Sequence, residues 1–169
     1  MHQILNLVGV LSYMYEMGYD LQILKRAILG FRLEKNRLEV KEFNNRIVID
    51  DSFNSNYKGF IEALNILSDS KGFRILMTPG IVELGKYKLE FSEKLVEYIV
   101  NSSDAVILIG YFQTKELFNR LIKYNIEVYL ARNFMEGYEM YLAIARTYDK
   151  SSLLIENDLP DLYRVGFLW

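Results

Sequence analysis

Apolar positions in the first thirty residues recur at helical spacing: Ile4, Leu5, Val8, Leu11 and Tyr15 fill one broad face over 3–17. Gly18 is placed to end that helix, and Asp20 to cap a second over 21–29, which Gly30 closes. A polar joint, Arg32 to Arg37, follows. Beyond it the pattern changes to short, nearly continuous apolar runs, which predict strands over 38–43, 46–50, 73–78, 105–109, 127–131 and 153–155. Helical stretches fall between the later runs, over about 57–69, 88–101, 113–123 and 134–148. Asn44-Asn45 suits a tight hairpin joining the first two strands. The rest alternates strand and helix, the pattern of a mainly parallel sheet of about six strands covered by helices on both faces. Residues 1–36 are then a helical piece too small to be a domain, and 37–169 a complete α/β, Rossmann-like domain.

In such sheets the ligand sits outside the carboxyl ends of the strands. Here those ends carry Asp50-Asp51, Thr78-Pro79-Gly80, Gly110-Tyr111, Arg132-Asn133 and Glu156-Asn157-Asp158. Composition narrows the chemistry. With 20 basic and 22 acidic residues and no basic block, nucleic acid and anionic membrane are poor partners. No cysteine is present, which excludes disulfides and thiolate chemistry, and His2 is the only histidine, which leaves Ser-His-Asp catalysis and His-rich metal sites without material. The apolar run from Ile4 to Tyr15 is too short to span a bilayer and lacks a signal-peptide pattern, so a cytoplasmic location without membrane insertion is expected.

The segment Arg46 to Asn56 runs from an apolar strand into two acids and an amide-rich turn. Acids at a strand end hold ribose hydroxyls or a metal; short amides read an adenine edge or cap a helix. Asp50-Asp51 resembles the opening of a response-regulator receiver, but the next strand ends in Thr78-Pro79 without a phosphoacceptor acid, and no Lys-Pro follows the strand over 127–131. A purely structural role is also open, with Asp51 or Ser52 capping the helix that begins near Tyr57.

The wider order is more specific. His2-Gln3-Ile4-Leu5-Asn6, then Asn36-Arg37-Leu38-Glu39, then Asp51-Ser52-Phe53-Asn54-Ser55-Asn56, then Gly80-Ile81-Val82-Glu83-Leu84-Gly85 resembles the end of a Mur ligase. These are the ATP-dependent amide-forming enzymes of peptidoglycan precursor synthesis. The resemblance is closest to the branch that adds D-alanyl-D-alanine to a UDP-muramoyl tripeptide, and it spans essentially the whole chain. It implies that residues 1–36 are the tail of the ligase's central ATPase domain and 37–169 its C-terminal domain. Asn6 matches the amide that reads adenine, with Gln3 where a first Asn is usual. Arg37 matches the joint arginine that reaches ATP, Asp51 the acid that contacts the nucleotide, and Phe53 and Asn54 the turn beside it. Asn56, Thr78, Glu83, Asn157 and Asp158 are the implied substrate-side positions.

The chain departs from the family's pattern in several places. Phe53 replaces a Tyr, Tyr57 a Pro, and Thr78-Pro79-Gly80 lacks an acid; Glu156-Asn157-Asp158 stands where the adding enzyme has a basic Lys-Gly-Ser-Arg. An acidic end changes which charged substrate group is welcome. No Gly-x-x-x-x-Gly-Lys-Ser/Thr loop occurs, and the central-domain lysine and histidine used for magnesium are missing. The resemblance therefore implies a portion of a longer ligase, inactive alone. ATP and Mg2+ would be cofactors of the whole enzyme, neither bound tightly by this portion. Its partners would be the ligase's N-terminal and central domains, a UDP-muramoyl peptide, and an amino acid or dipeptide. The folate polyglutamylating ligases share this plan, but they carry a His after the turn's acid where this chain has Phe53-Asn54. The alternative is a stand-alone regulatory or binding module with a degenerate ligase C-terminal fold.

Overall fold

The structure, a computed structural model, describes residues 2–30, 38–52, 56–80 and 88–157, with side chains described from Asn6 in the first stretch and from Glu93 in the last. The chain divides into two compact units, Met1–Glu34 and Lys35–Trp169.

The first unit is a helical pair, α1 (His2–Glu16) and α2 (Leu21–Gly30). Gly18, at φ 88°, ends α1 as the sequence predicts. Its N–H donates to the Tyr15 carbonyl at 3.0 Å and the Tyr19 N–H to the Met14 carbonyl at 3.1 Å, so two end carbonyls that a helix leaves open are satisfied. Asp20 caps α2, its Oδ1 accepting from the N–H groups of Gln22 and Ile23 at 2.8 and 3.3 Å. The covered face differs from the one predicted. Val8 and Tyr15 are 51% and 61% exposed, while Leu7, Leu11 and Met14 are the half-buried positions of α1. This helix is apolar on most sides, so its periodicity alone does not select a face.

The second unit is a six-stranded sheet. Its strands are β1 (Glu39–Phe43), β2 (Arg46–Asp51), β3 (Phe73–Thr78), β4 (Ala105–Ile109), β5 (Glu127–Ala131) and β6 (Ser151–Glu156), in the order β1-β2-β6-β3-β4-β5. Only the β1–β2 pair is antiparallel. Its two-residue turn places Asn44 and Asn45 at φ 46° and 64°, the left-handed pair that a twisted hairpin needs and that Asn tolerates.

Four helices cover the sheet: α3 (Tyr57–Ser68), α4 (Lys88–Ser102), α5 (Tyr111–Leu121) and α6 (Phe134–Ala145). One core joins Phe60, Leu64 and Leu67 of α3, Ile99 of α4 and Leu121 of α5 to Ile49, Leu76, Val106, Leu108 and Leu154. The other joins Phe134, Tyr141 and Ala145 of α6 to Val48, Ile75, Met77, Ile107 and Leu153. Strand residues alternate between the two cores, and both faces are apolar, which is why the central strands read as unbroken apolar runs. No described helix is long and apolar enough to cross a membrane.

Candidate functional site

Strand β6 inserts between β2 and β3, so the carboxyl ends of these three strands lie side by side. The chain reaches β6 from β5 through α6, on the face opposite α3, α4 and α5. Open parallel sheets bind ligands in a crevice outside the carboxyl ends of their strands, which makes these three ends a candidate site.

Register decides which side chains meet there. Asp51 pairs with Glu156, and Met77 pairs with Ile155, so Thr78 follows one step on. Ile49, Leu154 and Leu76, two residues before Asp51, Glu156 and Thr78, all belong to the α3-side core. With a side-chain period of two, a carboxylate, a second carboxylate and a hydroxyl therefore share one face across three adjacent strands. Glu156 and Thr78 are fully buried.

Hydrogen bonds tie the three ends together. The Asn157 N–H donates to the Asp51 carbonyl at 3.3 Å, and the Asn157 side-chain amide donates to the Gly80 carbonyl. The Gly80 N–H in turn donates to Thr78 Oγ1 at 3.0 Å. Asn157 and Gly80 hold left-handed backbone, φ 74° and 80°, which Asn and Gly adopt most easily. Asp51 Oδ1 accepts from the Leu38 N–H at 3.1 Å, so the acid also fastens the residue that follows Arg37. Asp50 projects to the other face, where its Oδ1 accepts from the Ser52 N–H and hydroxyl at 3.2 and 2.7 Å.

The cap of α3 is Asn56, whose Oδ1 accepts from the Gly59 N–H at 3.0 Å; Asp51 and Ser52 do not serve that role. At the far end of the sheet Asn133 caps α6. Arg132 donates to Glu136 from its backbone N–H at 2.8 Å and its Nε at 2.9 Å, which together hold that carboxyl below the usual range.

Of the residues proposed from sequence, the fold gathers Asp51, Thr78 and Asn157 at these strand ends and sets Asn56 at the start of α3. Asn6 is exposed on α1, in the other unit. Gln3 lies on α1 ahead of the described side chains, and Arg37, Phe53, Asn54, Glu83 and Asp158 lie outside the described residues. Glu156 and Gly80, named in the sequence only as part of the strand ends, and the Leu38 backbone also join the site. Parity along β6 sets Glu156 on one face with Leu154, and only the strand order sets it beside Asp51.

Carboxylate, hydroxyl and carboxamide groups suit sugar hydroxyls and amines, which offer hydrogen-bond donors. No described residue at these three ends is basic, so this set alone does not suit phosphate oxygens. Among the described residues no three His, Cys, Asp or Glu side chains gather as a metal group.

No family model matches the chain. In sequence it is 26% identical over 103 residues to the UDP-N-acetylmuramoyl-tripeptide–D-alanyl-D-alanine ligase of Buchnera aphidicola subsp. Baizongia pistaciae, covering 60% of this chain and 22% of that ligase. It is 27% identical over 142 residues to the UDP-N-acetylmuramoylalanine–D-glutamate ligase of Francisella tularensis, covering 82% of this chain and 32% of that one. In structure it resembles MurF from Acinetobacter baumannii, with a TM-score of 0.78 at 17% identity over 93% of this chain and 35% of the other. MurF from Thermotoga maritima, in complex with ADP, follows with a TM-score of 0.71 at 21% identity over 92% of this chain and 34% of the other. The chain thus spans less than two-fifths of the length of each of these relatives. In sequence and in fold the chain is similar to the C-terminal portion of Mur ligases.

Proposed function

We propose that this chain is the C-terminal, ATP- and amine-binding portion of a peptidoglycan amide ligase, one that joins D-alanyl-D-alanine to a UDP-muramoyl peptide in the cytoplasm. The observation that carries the reading is the edge formed by the carboxyl ends of β2, β6 and β3, which bear Asp51, Asn157 and Thr78, with Asp51 bonded to the N–H of Leu38, the residue after Arg37. The D-alanyl-D-alanine ligase named among the sequence relatives supports the substrate assignment.

In the whole enzyme ATP phosphorylates a carboxylate, and the amine then attacks the acyl phosphate with loss of phosphate. This portion contributes position and charge rather than proton transfer. Asp51 accepts hydrogen bonds from the nucleotide's sugar, and Arg37 offers a planar fork to phosphate oxygens. Gln3, Asn6, Phe53 and Asn54 complete the nucleotide side; Asn56, Thr78, Glu83, Asn157 and Asp158 face the amine. The β- and γ-phosphates and Mg2+ are held by a Walker loop that these 169 residues lack, so the chain alone binds ATP weakly and turns nothing over.

Exposed apolar surface on the helical pair supports its assignment to the edge of an ATPase domain. Tyr13, Tyr15, Met17, Ile23 and Leu29 are each at least half exposed, more apolar surface than a free-standing pair of helices leaves in water. The test is phosphate release that depends on both UDP-muramoyl tripeptide and D-alanyl-D-alanine, measured on a polypeptide joining this chain to a Mur ligase's N-terminal and central domains. Arg37→Ala and Asp51→Ala should each lower turnover about tenfold or more, the loss of one charge-assisted contact. Wild-type rates in both would sink the assignment. The alternative, a stand-alone binding module, gains if the joined polypeptide folds but releases no phosphate.

A further inference from the structure

A concavity lies away from the carboxyl edge, inside the sheet unit and on its α6 face. Helix α6 packs over β3, β4 and β5, which leaves the hairpin side of that face only partly covered. The gap is a cavity of about 400 Å³ between the β1–β2 hairpin and α6, within the size range of small-ligand sites.

Three aromatic rings bound it: Phe43 on the hairpin, and Tyr138 and Tyr141 one helical turn apart on α6. The two tyrosine rings are tilted by 38° with centroids 5.7 Å apart, and a stacked Phe134 backs Tyr138 at 5.9 Å. The wall is therefore braced from behind. Val48 and Leu142 supply further apolar lining. Register then sets the charge. Phe43 pairs with Arg46 and Lys41 with Val48, so both cations share the cavity's face; Glu42 also lines the cavity, but, paired with Ile47, it pleats its side chain to the other face.

Lys41 is matched by Glu39 at 3.3 Å. Arg46 has no ion-pair partner among the described residues. It lines the same cavity as the two hydroxyl-bearing rings. Burial raises both phenols, opposed at Tyr141 by a Ser151 hydrogen bond and then the Arg46 charge, and at Tyr138 by the Arg46 charge. A half-buried guanidinium among aromatic walls lacks only an anion, and a flat one would use the rings as well.

We propose that this cavity is a binding site for a planar aromatic anion, a carboxylate or sulfonate whose ring lies against Tyr138 and Phe43 and whose charge meets Arg46. The site is independent of the ligase reading, since none of its residues belongs to the candidate site at the strand ends.

Naphthalenesulfonate is a suitable probe, with neutral naphthol as its control, on the full 169-residue chain. Titration calorimetry should give saturable sulfonate binding with a Kd of about 1 mM or tighter, from roughly 0.3 kcal/mol per heavy atom. Amide shifts in NMR spectra should fall on residues 41–48 and 138–142. Arg46→Met should weaken the sulfonate about tenfold while leaving naphthol unchanged, and Arg46→Lys should keep most of the affinity. Leu142→Trp, which fills the cavity, should abolish both. The proposal fails if sulfonate binding is absent at 10-fold the expected Kd (about 10 mM) or unchanged in Arg46→Met. It also fails if the shifts fall elsewhere, or if sedimentation shows a dimer whose formation excludes the probe.

Discussion

Single residues hold this fold at positions far from the candidate site. Arg74 and Asp104 clasp the start of β3 to the start of β4. Asp104 accepts from the Arg74 Nη2 at 2.7 Å, from Nε at 3.0 Å and from the backbone N–H at 2.9 Å. Hydrogen bonding from Arg74 holds the Asp104 carboxyl below its ordinary range, against the opposing effect of burial. The clasp is therefore fully present above the unfolded carboxyl's pKa and is lost as pH falls through the lower, folded value. Asp104→Asn should cost about 1 kcal/mol at neutral pH, a partly exposed pair being discounted for screening. Denaturant unfolding of both proteins across acidic pH should show the gap close; a gap that persists at low pH would contradict this account. At the same scale, the sequence offered Asp51 or Ser52 to cap α3, and Asn56 took the position because it directly precedes the first turn. Asp51 was thereby left to fasten Leu38.

Element boundaries followed the sequence except where tertiary partners moved them. Helix α5 begins at Tyr111, two residues ahead of the periodicity, because Gly110 takes φ 84° and turns the chain straight from β4 into the helix. Strand β6 begins at Ser151, although Ser151 and Ser152 carry no strand preference of their own. Both are buried between β2 and β3, and Ser152 donates to the Lys71 carbonyl at 2.9 Å. Helix α6 approaches the sheet through Gly137, where an added Cβ would lie 2.5 Å from Ile109 Cδ1 and 3.3 Å from Ile107 Cγ2. Gly137→Val should therefore destabilise by about 2 kcal/mol through overpacking, despite removing a helical glycine. Thermal or urea unfolding measures it, and an unchanged midpoint would mean that α6 shifts outward at no cost.

On the scale of the whole molecule, both cores of the sheet unit are built from its own residues. Removing residues 1–34 should leave a cooperatively folding sheet unit whose Tm changes by less than about 3 °C, equivalent to roughly 1 kcal/mol. A larger fall, seen by calorimetry, would make the helical pair part of that core. The sequence by itself determined the elements, their alternation, the Asn44-Asn45 hairpin, the caps of α1 and α2 and the polar groups at the strand ends. Each depends on contacts within a few residues: a turn's φ angles, a side chain reaching its neighbour's N–H, or a repeat of two or three and a half. Only the tertiary structure decided that β6 enters between β2 and β3. Five parallel strands, apolar on both faces, offer no local signal of their order, so the neighbours of Asp51 were settled by long-range pairing. The same pairing, with α6 crossing to the other face, left the gap in which Arg46 sits among aromatic rings, a site that no run of residues along the chain announces.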